Sequence, residues 1–135
     1  MPHIVIEYSK NVTERINLAD LVKIIHEAAA ATGEFPPAQI LTRTAERTCY
    51  RLADGDPSNG FVRVVIRIRT GRTMETKRKA AEKMFGALCE FLAPVANSSP
   101  LAISFELQEL TPELSFSQTN LPDYVKARAA KAGQS

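Results

Sequence analysis

The sequence predicts an α+β domain in which two β-α-β units form one four-stranded mixed sheet with two helices on one face. Three observations carry this expectation. Short stretches of alternating apolar and polar residues recur along the chain, long helical periodicities separate them, and the strand–helix–strand pattern restarts nearly half a chain later. The repeat is one of pattern, not of residue identity.

The elements follow in order. "PHIVIEY" alternates Ile4, Ile6 and Tyr8 against His3, Val5 and Glu7, the period of a strand. "NLADLVKIIHEAAAATG" sets Leu18, Leu21, Val22, Ile25, Ala28 and Ala29 at helical spacing, with Asn17 as N-cap and Gly33 as terminator. "EFPPAQ" is a turn, and a second strand lies within "ILTRTAERTCYRL", where Arg43, Arg47 and Arg51 share a side with Leu41, Ala45 and Cys49. "ADGDPSNG" reads as a hairpin-like loop. "FVRVVIRIRT" gives a third strand, with Val62, Val64, Ile66 and Ile68 on one face and Phe61, Arg63, Val65, Arg67 and Arg69 on the other. "TMETKRKAAEKMFGALCEFLAPV" is a helix with Ala81, Met84, Phe85, Leu88 and Leu92 on one stripe, and "PLAISFELQEL" is the last strand. A short helix is expected in "LPDYVKARAAKA", and "KAGQS" is expected to fray within about the last ten residues of a single domain spanning 1–135.

Two helices cover only one sheet face. The other mixes Phe61 and Val65 with arginines, so a second subunit is expected to cover it, with Glu46 or Glu106 pairing the guanidiniums. A solvated sheet face is the plainer alternative.

Length and composition narrow the function classes. The 135 residues, 44% hydrophobic and 24% charged, suit one globular domain. A formal net charge of +2 does not announce a nucleic-acid partner. Cys49 and Cys89 form no CxxC pair, which points to a reducing, cytoplasmic setting. The chain has no apolar run of membrane-spanning length and no signal-peptide pattern, so no membrane partner is expected.

The common chemical constellations are missing. "TGRT" is too short for a phosphate loop, and His3 and His26 have no metal-ligand spacing, so neither metal nor cofactor is expected. His26 reads as a solvated helix residue, Cys89 as core, and Cys49 has no nearby histidine to activate it. Pro2 remains. It is either the plain start of a strand or, once Met1 is removed, a rigidly held secondary amine. An α-amino group ionises near pH ~7.7–8.0, and burial or neighbouring cations lower that value toward what a general base needs. Arg72 follows the third strand in "TGRT", where a fixed guanidinium can hold a carboxylate or an enolate oxygen.

"PHIVIEYS", "AAATGEFP", "LADG", "FVRVVIRIRTGR" and "LAISFELQELTPELSFSQTN" resemble the 5-carboxymethyl-2-hydroxymuconate isomerase family of the tautomerase superfamily, from about Pro2 to Val125. The resemblance implies a homotrimer with helices outward and cofactor-free isomerisation of a small acidic substrate in the homoprotocatechuate branch of aromatic degradation. It also implies that Pro2 carries a proton from the 2-hydroxyl of a dienol to carbon, and that Arg72 binds carboxylate or polarises oxygen. Where the family commonly has "IRSR" this chain has "ILTR", so Leu41 stands in the place of a substrate-contacting arginine while Arg43 is kept. Arg43 or Arg47 is the expected substitute, and Phe116 an expected pocket wall. Three other readings stay open: a tautomerase-superfamily hydratase, decarboxylase or dehalogenase; an RNA-binding module, disfavoured because only Phe61 is available to stack a base; and a non-catalytic trimeric scaffold.

Overall fold

The computed structural model describes residues 1–133. The strands are β1 (His3–Ser9), β2 (Leu41–Arg47), β3 (Gly60–Ile68) and β4 (Leu101–Glu109), and the helices are α1 (Leu18–Ala31), α2 (Met74–Ala96) and α3 (Leu121–Gly133). The sheet order is β2-β1-β3-β4. Each β-α-β unit contributes a parallel pair, β1 with β2 and β3 with β4, and the units join where β1 and β3 run antiparallel. The expected mixed sheet with two helices on one face is therefore the fold, with α3 as a third helix outside the repeat.

Local chemistry sets the boundaries of α1 and α2. Asn17 accepts a hydrogen bond from the Asp20 amide at the start of α1, and Thr73 does the same for the Thr76 amide at the start of α2. After α1, Gly33 adopts φ +74°, the left-handed conformation that glycine reaches without a Cβ penalty. The core is a sandwich of the sheet's inner face against α1 and α2. Ile4, Ile6, Val62, Val64 and Ile66 meet Leu21, Ile25, Met84, Leu88 and Leu92, all fully buried. Ile66→Ala is expected to leave a cavity here and lower unfolding free energy by about 2–5 kcal/mol, read from the denaturant midpoint.

Several expectations are corrected. The "ADGDPSNG" loop is not a hairpin, because β2 and β3 are not neighbours. The chain crosses the end of β1, where the Asn11 amide donates to the Pro57 and Asn59 carbonyls. On α2 the buried stripe runs through Ala80 and not Phe85, which stays 40% exposed, so the helix is turned relative to the expected face. Cys89 is only half-buried on that helix. β2 ends at Arg47; Arg51 belongs to the following loop, where its guanidinium donates to the Asp54 carbonyl. His26 is tied to the sheet, its Nδ1 2.8 Å from Thr42 Oγ1, and is not simply solvated. The last segment is helical through Gly133, so fraying does not begin at Lys131; the expectation for Gln134 and Ser135 lies outside the described residues. Among the described residues no helix is long and apolar enough to cross a membrane.

Candidate active site

Strand register decides which side chains meet on the uncovered face. His3 lies level with Leu41 on β2 and Arg67 on β3, and Arg67 with Gln108 on β4. The next row carries Arg43, Val5, Val65 and Glu106, and the next Ala45, Glu7, Arg63 and Ser104. Two of the arginines on this face are neutralised within the chain. Arg47 Nε lies 2.7 Å from Glu7, and Arg63 Nη2 3.0 Å from Glu106. Glu106 thus acts as expected. Glu46 does not, because it points to the other face and accepts from the Tyr8 hydroxyl at 3.4 Å.

At the His3 end of this face opens a cavity of about 760 Å³. The strands contribute His3, Arg43 and Arg67 to its wall, the residues flanking β1 and β3 contribute Met1, Arg69 and Thr70, and the segment after β4 contributes Leu110, Pro112, Leu114 and Phe116. Phe116 and Leu114 are 91% and 77% exposed, apolar side chains on the rim that no described residue covers. Of the residues expected at the site, Arg43 and Phe116 line this cavity directly. Pro2 is buried just ahead of β1, its carbonyl accepting from the Leu41 amide at 3.0 Å. Leu41 pairs with the cavity residue His3, and Arg72 acts electrostatically on the amino terminus, but neither is on the wall.

Arg72 is placed by the turn between β3 and α2. Gly71, at φ +119°, supplies a conformation that other residues rarely adopt. The guanidinium then reaches the loop after α1: Nη2 donates to the Glu34 carbonyl at 2.7 Å, Nε lies 3.4 Å from the Glu34 carboxylate, and the Phe35 ring stands 5.0 Å away. Among the described residues the Glu34 carbonyl takes its one hydrogen bond, and the guanidinium keeps further N–H donors for a ligand.

The electrostatics favour neutral bases. The Met1 amine is held below its ordinary value first by burial, then by the guanidiniums of Arg69 and Arg72. His3 is likewise lowered by burial, then by Arg43, the amino terminus and Arg67. Arg43 Nη1 lies 3.1 Å from His3 Nδ1. Arginine can only donate, so Nδ1 is the acceptor and Nε2 carries the imidazole proton. A histidine lowered below its ordinary 6.5 contributes stability that is complete above that pH and is lost as pH falls toward the folded-state value, because the unfolded chain takes up the proton first. The denaturant midpoint is therefore expected to fall over this window, and His3→Gln to flatten the slope.

Sequence reasoning did not single out His3, Arg67 or Arg69 as site residues. Alternation put them on the uncovered face, but only the register brings Arg67 beside His3.

The comparisons agree with this fold. The family model described as 5-carboxymethyl-2-hydroxymuconate isomerase matches residues 2–125. A curated 5-carboxymethyl-2-hydroxymuconate Delta-isomerase from Escherichia coli is 36% identical over 121 residues, covering 90% of this chain and 96% of the relative. A crystal structure of a 5-carboxymethyl-2-hydroxymuconate isomerase from Deinococcus radiodurans R1 superposes with a TM-score of 0.85 at 26% identity, covering 92% of this chain and 93% of that one. A structure described as a fused 4-OT wild-type symmetric trimer shares the fold, with a TM-score of 0.65 at 16% identity, covering 87% and 92%. With the match spanning both β-α-β units and the cavity-lining segments, the chain belongs to the 5-carboxymethyl-2-hydroxymuconate isomerase family.

Proposed function

We propose that this protein is a cofactor-independent isomerase converting 5-carboxymethyl-2-hydroxymuconate to its unsaturated 2-keto isomer, with Pro2 as proton carrier after removal of Met1. The observation that carries the reading is a partly buried terminal amine beside an arginine-lined cavity, lowered by that burial and by two guanidiniums. With Met1 gone, the amine is the Pro2 ring nitrogen, one residue along the chain, in a residue whose carbonyl is fixed by a backbone hydrogen bond from Leu41. The neutral nitrogen takes the proton of the 2-hydroxyl as the electrons of the dienol shift. The resulting ammonium returns that proton to carbon, giving the ketone and regenerating the base. Arg72, rigidly placed with donors free, stabilises the enolate oxygen or a carboxylate at the reacting end. Arg43 contributes a cation to the wall, and Phe116 an apolar rim.

Leu41 favours a second reading within the same chemistry, an acidic substrate other than the one that names the family. A panel of enol and unsaturated acids separates the two. Turnover of 5-carboxymethyl-2-hydroxymuconate well above that of phenylenolpyruvate supports the first, and preference for a different acid supports the second.

The working form is proposed to be a cytoplasmic homotrimer of single-domain subunits. Val5, Phe61 and Val65 lie half-buried on the uncovered face, and Leu114, Phe116 and Tyr124 are exposed. A fold neighbour is itself described as a symmetric trimer. Light scattering is expected to give three times the 14.8 kDa chain mass; a monomer contradicts this assembly.

A further inference from the structure

Building on the reading above, we propose that Arg67 and Arg69 form a carboxylate clamp that holds the non-reacting carboxylates of a multiply charged substrate. The neighbouring arginines have partners within the chain: Arg43 donates to His3 Nδ1, and three others face acids. Arg47, Arg63 and Arg72 each have a carboxylate of the same chain within ion-pair distance, at Glu7, Glu106 and Glu34. Arg67 and Arg69 line the cavity, and among the described residues neither guanidinium has a hydrogen-bond or ion-pair partner.

The surroundings explain the difference. The row containing Arg67 offers Leu41, His3 and Gln108, with no acid, and the cavity wall contains no aspartate or glutamate. Because Arg43 occupies His3 Nδ1, the proton that His3 presents is on Nε2, so this histidine also acts as a donor. The wall therefore shows an anion the two unpartnered guanidiniums of Arg67 and Arg69 and an imidazole N–H, with the Arg43 guanidinium held on His3 beside them. Unpaired cations placed together beside a concave space are what a carboxylate ligand completes.

Spacing selects the ligand class. Arg67 and Arg69 are two residues apart at the end of an extended strand, a separation of roughly 7 Å. That backbone spacing lets the two side chains reach carboxylates on separate arms of one molecule. The cavity volume of about 760 Å³ leaves room for a small polycarboxylate. On β2 the same row carries apolar Leu41, so the row's fixed positive charge comes from β3.

Titration calorimetry with tricarballylate, an unreactive tricarboxylate, tests the clamp. Wild-type protein is expected to bind it, Arg67→Gln and Arg69→Gln each to weaken binding about tenfold or more, and Arg67→Lys to recover part of the loss. Lys79→Gln, which removes an exposed cation on α2, is expected to change nothing. Equal affinity in wild type and both glutamine variants overturns the clamp, as does absence of binding to the wild type. Turnover of phenylenolpyruvate, which has one carboxylate, reports on Pro2 independently. Its absence in the wild type contradicts the catalytic reading while the calorimetry still decides the clamp.

Discussion

Pro2→Ala is expected to lower kcat for enol substrates by about 10²–10⁴-fold, the range that a positioned general acid–base group supplies. The variant still begins with an amine once Met1 is removed, so the loss isolates what the proline ring contributes. A secondary amine locked at the head of β1 presents its lone pair in one direction, whereas alanine's primary amine rotates about its Cα–N bond. The backbone hydrogen bond from the Leu41 amide to the carbonyl of residue 2 does not depend on the side chain, so β1 keeps its register. Core residues Ile4 and Ile6 are untouched, and the thermal midpoint is expected to stay near that of the wild type. Substrate binding rests on the arginines and is expected to persist. Loss of kcat with little change in KM is the signature of a group that acts in the transition state.

Arg72→Ala is expected to reduce kcat/KM by about 10–100-fold, through three separable effects. It removes a donor to the developing enolate or bound carboxylate, a charge-assisted interaction of about 1.5–3 kcal/mol. It releases the turn after β3 from the Glu34 carbonyl and the Phe35 ring, loosening the edge of the site. It also takes away one of the two cations that lower the terminal amine, so the acidic limb of the kcat/KM profile moves to higher pH. The direction follows from the charge: without the neighbouring cation, protonation of the amine costs less and the active neutral form is reached later. Arg72→Lys keeps the charge but not the fork, and is expected to hold the pH limb while recovering only part of kcat/KM. A wild-type pH profile in Arg72→Ala contradicts this role.

The fold was readable because each strand and helix carries its own period. Val62, Val64, Ile66 and Ile68 alternate so cleanly that the inner face of β3 follows directly, and Asn17 and Thr73 mark two helix starts with capping side chains. What failed was pairing. "ADGDPSNG" has the composition of a hairpin turn, but composition records only that the chain turns, not which strand receives it, and β1 lies between β2 and β3. Phe85 was misplaced for a similar reason. A long helix offers several overlapping apolar stripes, and the angle at which α2 crosses the sheet selects the one through Ala80.

The site divides along the same line. Pro2 and Arg72 stood out because each residue type has a distinctive chemistry at its position. His3, Arg67 and Arg69 are ordinary as residues, and acquire meaning only when the antiparallel register of β1 and β3 sets His3 against Arg67 and the Met1 amine near Arg69. Nothing local in the sequence distinguishes Arg63, which is paired with Glu106, from Arg67, which is not.

The most direct test is a ¹⁵N titration of the terminal nitrogen in active enzyme labelled at proline. A secondary-amine resonance at Pro2 that titrates below the ordinary α-amino range of about 7.7–8.0 is the predicted result. A Pro2 nitrogen that remains a non-titrating amide in fully active protein, or an amine protonated well above that range, contradicts it.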